Sequence, residues 1–94
     1  MQLRKADIVQ SVSGHDKGKL FFILAIDEGF CLLANGKEGR RVDRPKRKSV
    51  KHLQFVDRYD CETARKLERG ECVENYELRR DLARFCESRK IPRG

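Results

Sequence analysis

The sequence predicts a mainly-β fold with α: a small, strongly bent antiparallel barrel over residues 1–56, followed by a two-helix C-terminal extension over residues 57–94. Two observations carry this expectation. Short apolar runs broken by glycine-containing turns fill the first 55 residues, and the apolar spacing then changes from a strand period to a helix period. A third observation bounds it: 94 residues hold one small core, which argues against a large enzyme cleft.

The elements follow in order. "IVQSV" (residues 8–12) alternates, with Ile8, Gln10 and Val12 on one side and Val9 and Ser11 on the other. "KLFFILAID" (19–27) is a continuous apolar run short enough for a buried strand, and a hairpin through Glu28-Gly29 leads into "FCLLA" (30–34). Asn35-Gly36 reads as a two-residue type I′ hairpin, which needs positive φ at both central residues. It predicts a fourth strand over residues 40–42, ended by Pro45, which cannot donate to a ladder, and a last strand over 50–55. Five short strands with tight turns point to a small bent barrel.

Beyond the boundary at residues 56–60, Asp60 is expected to cap a short helix carrying Ala64 and Leu67 and ended by Gly70. Asn75 is expected to cap a longer one. There Leu78, Leu82, Phe85 and Cys86 form one apolar stripe, expected to dock on the barrel or the first helix, while Arg79, Arg80, Asp81, Arg84 and Glu87 face elsewhere. "SRKIPRG" closes the chain as a frayed tail.

Charged residues make up 39% of the chain, against roughly 25% in an ordinary domain, and the formal charge is +7. Residues 1–53 hold twelve Lys and Arg against six Asp and Glu; residues 54–94 hold ten against nine. Within the first half, "RRVDRPKRKSVK" (40–51) carries seven basic residues and one acidic one. Such a local excess is what neutralising phosphates requires. An anionic membrane surface would attract it too, but no free basic amphipathic helix or lipid-modification site accompanies it.

"SVSGHDKGKL" (11–20) poses a sharper question, since two glycines enclose basic residues as phosphate-binding loops do. The G-x-x-x-x-G-K-[ST] pattern fails three times: the glycines are one residue too close, Leu20 replaces the hydroxyl, and a strand follows in place of a helix. What remains is a turn between strands, shaped by Gly14 and Gly18, whose lysines can approach a sugar-phosphate backbone.

"DIVQSVSGHDKGKLFFILAID" resembles the KOW motif of ribosomal and transcription proteins: a strand, a glycine-containing basic turn and a second apolar strand. The longer order, with "LLANGKEGRRVDRPKRKSVKHLQ", is similar to the ribosomal large-subunit protein of the fourteen-e type and its small bacterial relatives, over about the first 55 residues. "NYELRRDLARF" resembles the helical segment of those relatives more weakly. The resemblance implies an SH3-like barrel that binds structured RNA, chiefly ribosomal RNA. It places the turn at Ser13, Gly14, Asp16, Lys17 and Gly18, and the basic segment at Arg44, Pro45, Lys46, Arg47, Lys48, Lys51 and His52. Two departures stand out: His15 occupies a position more often basic or small, and Glu38-Gly39 lengthens the turn after Asn35-Gly36.

The functional expectation is a non-catalytic RNA-binding protein of the translation machinery, cytoplasmic, a ribonucleoprotein component with ribosomal proteins as further partners. Lys17, Lys19, Arg40, Arg41, Lys46, Arg47, Lys48 and Lys51 would contact phosphates, with His15 and His52 beside them and Pro45 holding the basic segment extended. Phe21, Phe22, Phe30 and Phe55 all read as core, so recognition would be by RNA shape and backbone without base stacking. Neither histidine sits in a nucleophile–base pattern, and no cofactor, metal, membrane or small-molecule substrate is expected. Cys31, Cys61, Cys72 and Cys86 lack the close pairing of zinc ligands; a site from Cys61, Cys72, Cys86 and His52 is outweighed by free thiols in a reducing compartment. The rival reading is a protein-interaction adaptor using the barrel edge and the C-terminal helix.

Overall fold

The computed structural model describes residues 2–89. Its order is β1 (Ile8–Ser11), β2 (Leu20–Asp27), β3 (Phe30–Ala34), β4 (Lys46–Ser49), β5 (Leu53–Asp57), α1 (Glu62–Glu68) and α2 (Asn75–Arg89), with single 3-10 turns at Gly14–Asp16 and Val50–His52. The strands form one antiparallel sheet in the order β4-β3-β2-β1-β5. It is therefore mainly β with two C-terminal helices, as the period change predicts. The sheet does not close: β4 and β5 are its two edges.

It is nevertheless strongly curled. Four strand spacings would separate the edges of a flat sheet by about 19 Å. The link from Ser49 to Leu53, tightened by its 3-10 turn, reaches no more than about 14 Å even fully extended. The edges must bend toward one another.

Curling gives each central strand two covered faces. Ile8, Leu20, Phe22 and Ala34 belong to one apolar cluster with Ala64, Leu67, Leu78, Leu82 and Phe85 of the helices; Val9, Phe21, Ile23, Cys31 and Leu33 form a second on the opposite face. This explains why "LFFI" is apolar without alternation, since side chains on both faces are buried. The α2 stripe docks as expected, with Leu78 and Phe85 at 0% and 1% exposure, burial worth on the order of 2 kcal/mol per large side chain. Leu78 and Phe85 are consumed by the fold, while Leu82 and Cys86, also buried in that cluster, border a groove beside α2. Tyr59 packs tilted on Phe85, with ring centroids 5.2 Å apart, and Arg89 bonds Asp57 on β5.

Several expectations need correction. Residues 40–42 form no strand, and Asn35-Gly36 is no type I′ turn, because Gly36 has φ +80° while Asn35 does not lie in the left-handed region. The pair instead opens a long connection, residues 35–45, in which Arg40 O accepts from both Asn35 N and Gly36 N at 3.0 Å. β4 begins only after Pro45. The turn with positive φ at both central residues is Glu28-Gly29, at +40° and +83°, joining the paired residues Asp27 and Phe30. Residues 50–52 make the 3-10 turn, and the last strand starts at Leu53.

The helix caps also differ. Cys61, not Asp60, caps α1: its Sγ accepts from Ala64 N at 3.4 Å, while Asp60 pairs with Arg65. Burial, opposed by the Ala64 hydrogen bond, pushes this thiol up to about 11. Asn75 does not cap α2 with its side chain, whose Oδ1 accepts from Val42 N at 2.8 Å across the chain. Asp81 faces inward at 2% exposure and accepts from Thr63 N at 3.1 Å, tying α2 to the start of α1. Of the proposed tail, Ser88 and Arg89 are helical; residues 90–94 lie outside the described residues. Phe30 and Phe55 are half-buried and not core. No described helix is long and apolar enough to cross a membrane.

Gly36 and Gly39 share φ +80° but not surroundings: a Cβ on Gly36 would lie 2.2 Å from Asn75 O, whereas one on Gly39 meets nothing within 4 Å. Gly39→Ala should therefore cost only the left-handed strain of about 1–2 kcal/mol. Gly36→Ala should cost at least about 2 kcal/mol more, because backbone must move. Urea denaturation of both variants checks this; equal losses would mean that α2 does not bear on the 35–45 connection.

Candidate nucleic-acid interface

The loop between β1 and β2 is built by backbone bonds from its ends: Gly18 N donates to Ser11 O at 2.8 Å and Ser11 N to Lys19 O at 3.1 Å. Between them Gly14 and Gly18, at φ +75° and +89°, turn the chain in a way closed to most side chains. Gly14, His15, Lys17, Gly18 and Lys19 are exposed, and Ser13 is half-buried. Asp16 is the exception. Its carboxylate points inward at 1% exposure.

A buried carboxylate must be compensated, and three cations from separate segments do so. Arg40, from the 35–45 connection, reaches Asp16 Oδ2 with Nε at 2.9 Å and a second guanidinium nitrogen at 2.7 Å. Lys46 on β4 lies 3.6 Å from the same oxygen, and Lys19 lies 3.5 Å from Oδ1. Burial works to raise the Asp16 carboxyl, but the Arg40 hydrogen bond and the charges of Arg40, Lys46 and Lys19 outweigh it and hold it below the usual carboxylate range. A fourth cation, Lys48 Nζ, donates to Ser13 O at 2.8 Å. One carboxylate thus positions Lys19, Arg40 and Lys46, whose side chains are 45%, 25% and 34% exposed, so a net positive face remains open to solvent.

The basic run does not act as a unit. β4 pairs Lys46 with Leu33 and Lys48 with Cys31, so these two lysines share a sheet face and reach the loop. Arg47, on the opposite face, lies over the Phe30 ring at 3.7 Å from its centroid. Arg41 pairs with Asp43 at 3.1 Å on the exposed connection, and Arg44 is exposed there, with neither brought to Asp16. Pro45 immediately precedes β4. Lys51 and His52 lie in the 3-10 turn on the other side of the loop, where His52 O accepts from Val12 N at 2.9 Å. His15 stands exposed at the loop apex.

Two residues of the site were not recognised from the sequence, and a third was placed in it without its role. Asp16 belongs to the turn that the resemblance gives, but it is a buried organiser at 1% exposure; an acid alone in a basic loop is the signal for that. Asn75 and Arg79 hold the 35–45 connection from α2, through Val42 N and through Gly36 O at 2.5 Å. No local pattern announces that. Cys61 and Cys86 are buried in the core while Cys72 is exposed, so the four-ligand zinc arrangement with His52 does not assemble, and no metal-holding cluster occurs among the described residues.

Asp16→Asn should cost about 1.5–3 kcal/mol at pH 7, the range for hydrogen bonds to charged groups. Because the folded-state pKa is depressed, the stabilisation is fully present above the unfolded carboxylate value near 4 and is lost as pH falls through the folded value. The stability difference between wild type and variant, followed by denaturation at stepped pH, should therefore shrink below about pH 4; a difference independent of pH would exclude this role. Comparison with known proteins finds no matching family model and no matching curated protein.

Proposed function

We propose that this chain is a non-catalytic RNA-binding protein, a KOW-type SH3-like barrel that binds ribosomal RNA as a cytoplasmic, ribosome-associated factor. The observation that carries the reading is the convergence of Lys19, Arg40 and Lys46 on Asp16, with Lys48 on Ser13 O, around an exposed glycine-flanked loop. Four cations held in fixed relation by a protein scaffold match the spaced phosphates of a folded RNA better than four mobile ones, because less side-chain entropy is lost on binding. Lys17 and Lys51, both exposed, extend the face. The curl of the open sheet supports the SH3-like reading.

The adaptor reading keeps one observation of its own. Leu3, Ile26, Val50, Leu53 and Phe55 line an open groove of about 400 Å³ on the sheet, with Ile26 43% exposed. Leu78 and Phe85 of the α2 stripe are buried and do not serve it.

Binding to a folded ribosomal RNA fragment, followed by fluorescence anisotropy, should weaken steeply with salt, by about 0.7–0.9 log units per tenfold salt for each phosphate-bound cation. Reversing Lys46 and Lys48 to Glu should weaken binding at least tenfold and flatten that slope by about two cations' worth. Reversing Arg41, which is tied to Asp43, should do much less. A salt-independent affinity, or equal effects at all positions, would refute the phosphate-binding account.

A further inference from the structure

A groove of about 520 Å³ lies between α2 and the start of the 35–45 connection. Leu20, Leu82 and Ala83 give it an apolar floor, and Tyr76, at 56% exposure the most exposed large hydrophobic side chain described, stands at its side. Lys37, Arg79 and Arg80 also line it, and among the described residues no carboxylate does. Arg80 is partly neutralised by Asp81, at 3.1 and 3.2 Å, whereas the bond from Arg79 goes to the neutral carbonyl of Gly36. A cavity with a flat aromatic, an apolar floor and a cationic lining suits a ligand that is planar and anionic at once.

The groove is linked to the Asp16 cluster through bonded neighbours, although the two have no residue in common. Leu20 follows Lys19 directly, and Asn35, another lining residue, donates its side-chain Nδ2 to Leu20 O at 3.4 Å and its backbone N to Arg40 O at 3.0 Å. The segment that carries Arg40 to Asp16 thus also supplies Asn35 and Lys37 to the groove wall.

We propose that this groove receives an unpaired nucleobase of the bound RNA, stacked on Tyr76, with the cations of Lys37 and Arg79 at its flanking phosphates. The proposal rests on the RNA-binding reading and adds to it a preference for RNA with a bulged or looped-out base. It departs from the expectation that recognition proceeds without stacking. Base-on-aromatic stacking is tolerant of base identity, so the preference is for an available base and not for a sequence.

The test compares two hairpin RNAs, identical but for one bulged 2-aminopurine, against wild type, Tyr76→Phe, Tyr76→Ala and Ala83→Met. Tyr76 is largely exposed, so its variants keep the core, and circular dichroism verifies this. Wild type and Tyr76→Phe should bind the bulged RNA about tenfold more tightly than the plain hairpin and change the 2-aminopurine emission. Tyr76→Ala and the groove-filling Ala83→Met should lose both effects while keeping the affinity for the plain hairpin. Equal binding of the two RNAs by wild type overturns the groove proposal and leaves the phosphate face standing. Failure of wild type to bind either RNA overturns both readings. Binding of an acidic, aromatic-containing peptide in a Tyr76-dependent manner, without a bulge preference, would assign the groove to a protein partner and overturn the proposal.

Discussion

The charge of Asp16 organises the candidate site. A carboxylate withdrawn from water needs cations close by. Here they come from positions 19, 40 and 46, on three different segments. Meeting that need folds the 35–45 connection back over the β1–β2 loop and aims Lys46 across the sheet. The same residue that removes one unit of positive charge from the surface fixes the positions of the others. Three side chains that would otherwise repel and wander are held by one group, and their outer surfaces stay solvated.

The second anchor is helical. Asn75 and Arg79 on α2 bond Val42 and Gly36, on either side of Arg40 in the connection that delivers it, and Gly36 lies so close to Asn75 that no side chain fits there. The helices also share their apolar cluster with β1, β2 and β3. The C-terminal segment is thus part of the scaffold on which the basic face is built. Its buried acids serve this purpose: Asp81 accepts from the start of α1, and Glu77 pairs with Lys66 at 2.9 Å, which locks the two helices together.

The basic run 40–51 shows how a linear count of charge differs from a surface. In an extended strand, neighbours point to opposite faces, so Lys46 and Lys48 go to the loop while Arg47 goes to Phe30. Arg41 is compensated locally by Asp43. Seven basic residues in sequence become several small groups in space, and the group around Asp16 includes Lys19, which lies outside the run altogether.

Local chemistry was legible in the residues. The apolar run 19–27, the Glu28-Gly29 turn, the switch to helical spacing after residue 60 and the α2 stripe each depend on periodicity or on backbone freedom, which neighbouring residues determine among themselves. So the mainly-β class with two following helices, and the loop between Gly14 and Gly18, could be read in advance. The path of residues 35–45 could not, because Asn35-Gly36 satisfies a local rule that a wider turn closed on Arg40 O and long-range bonds to α2 override. For the same reason Asp60 and Asn75 looked like caps: both have the right side chain, but Cys61 and a distant Val42 take the roles and the bonds. Sequence alone determined which residues are basic and which faces are apolar. Only the tertiary structure decided which cations meet, because a buried carboxylate gathers charges through space without regard to their separation along the chain.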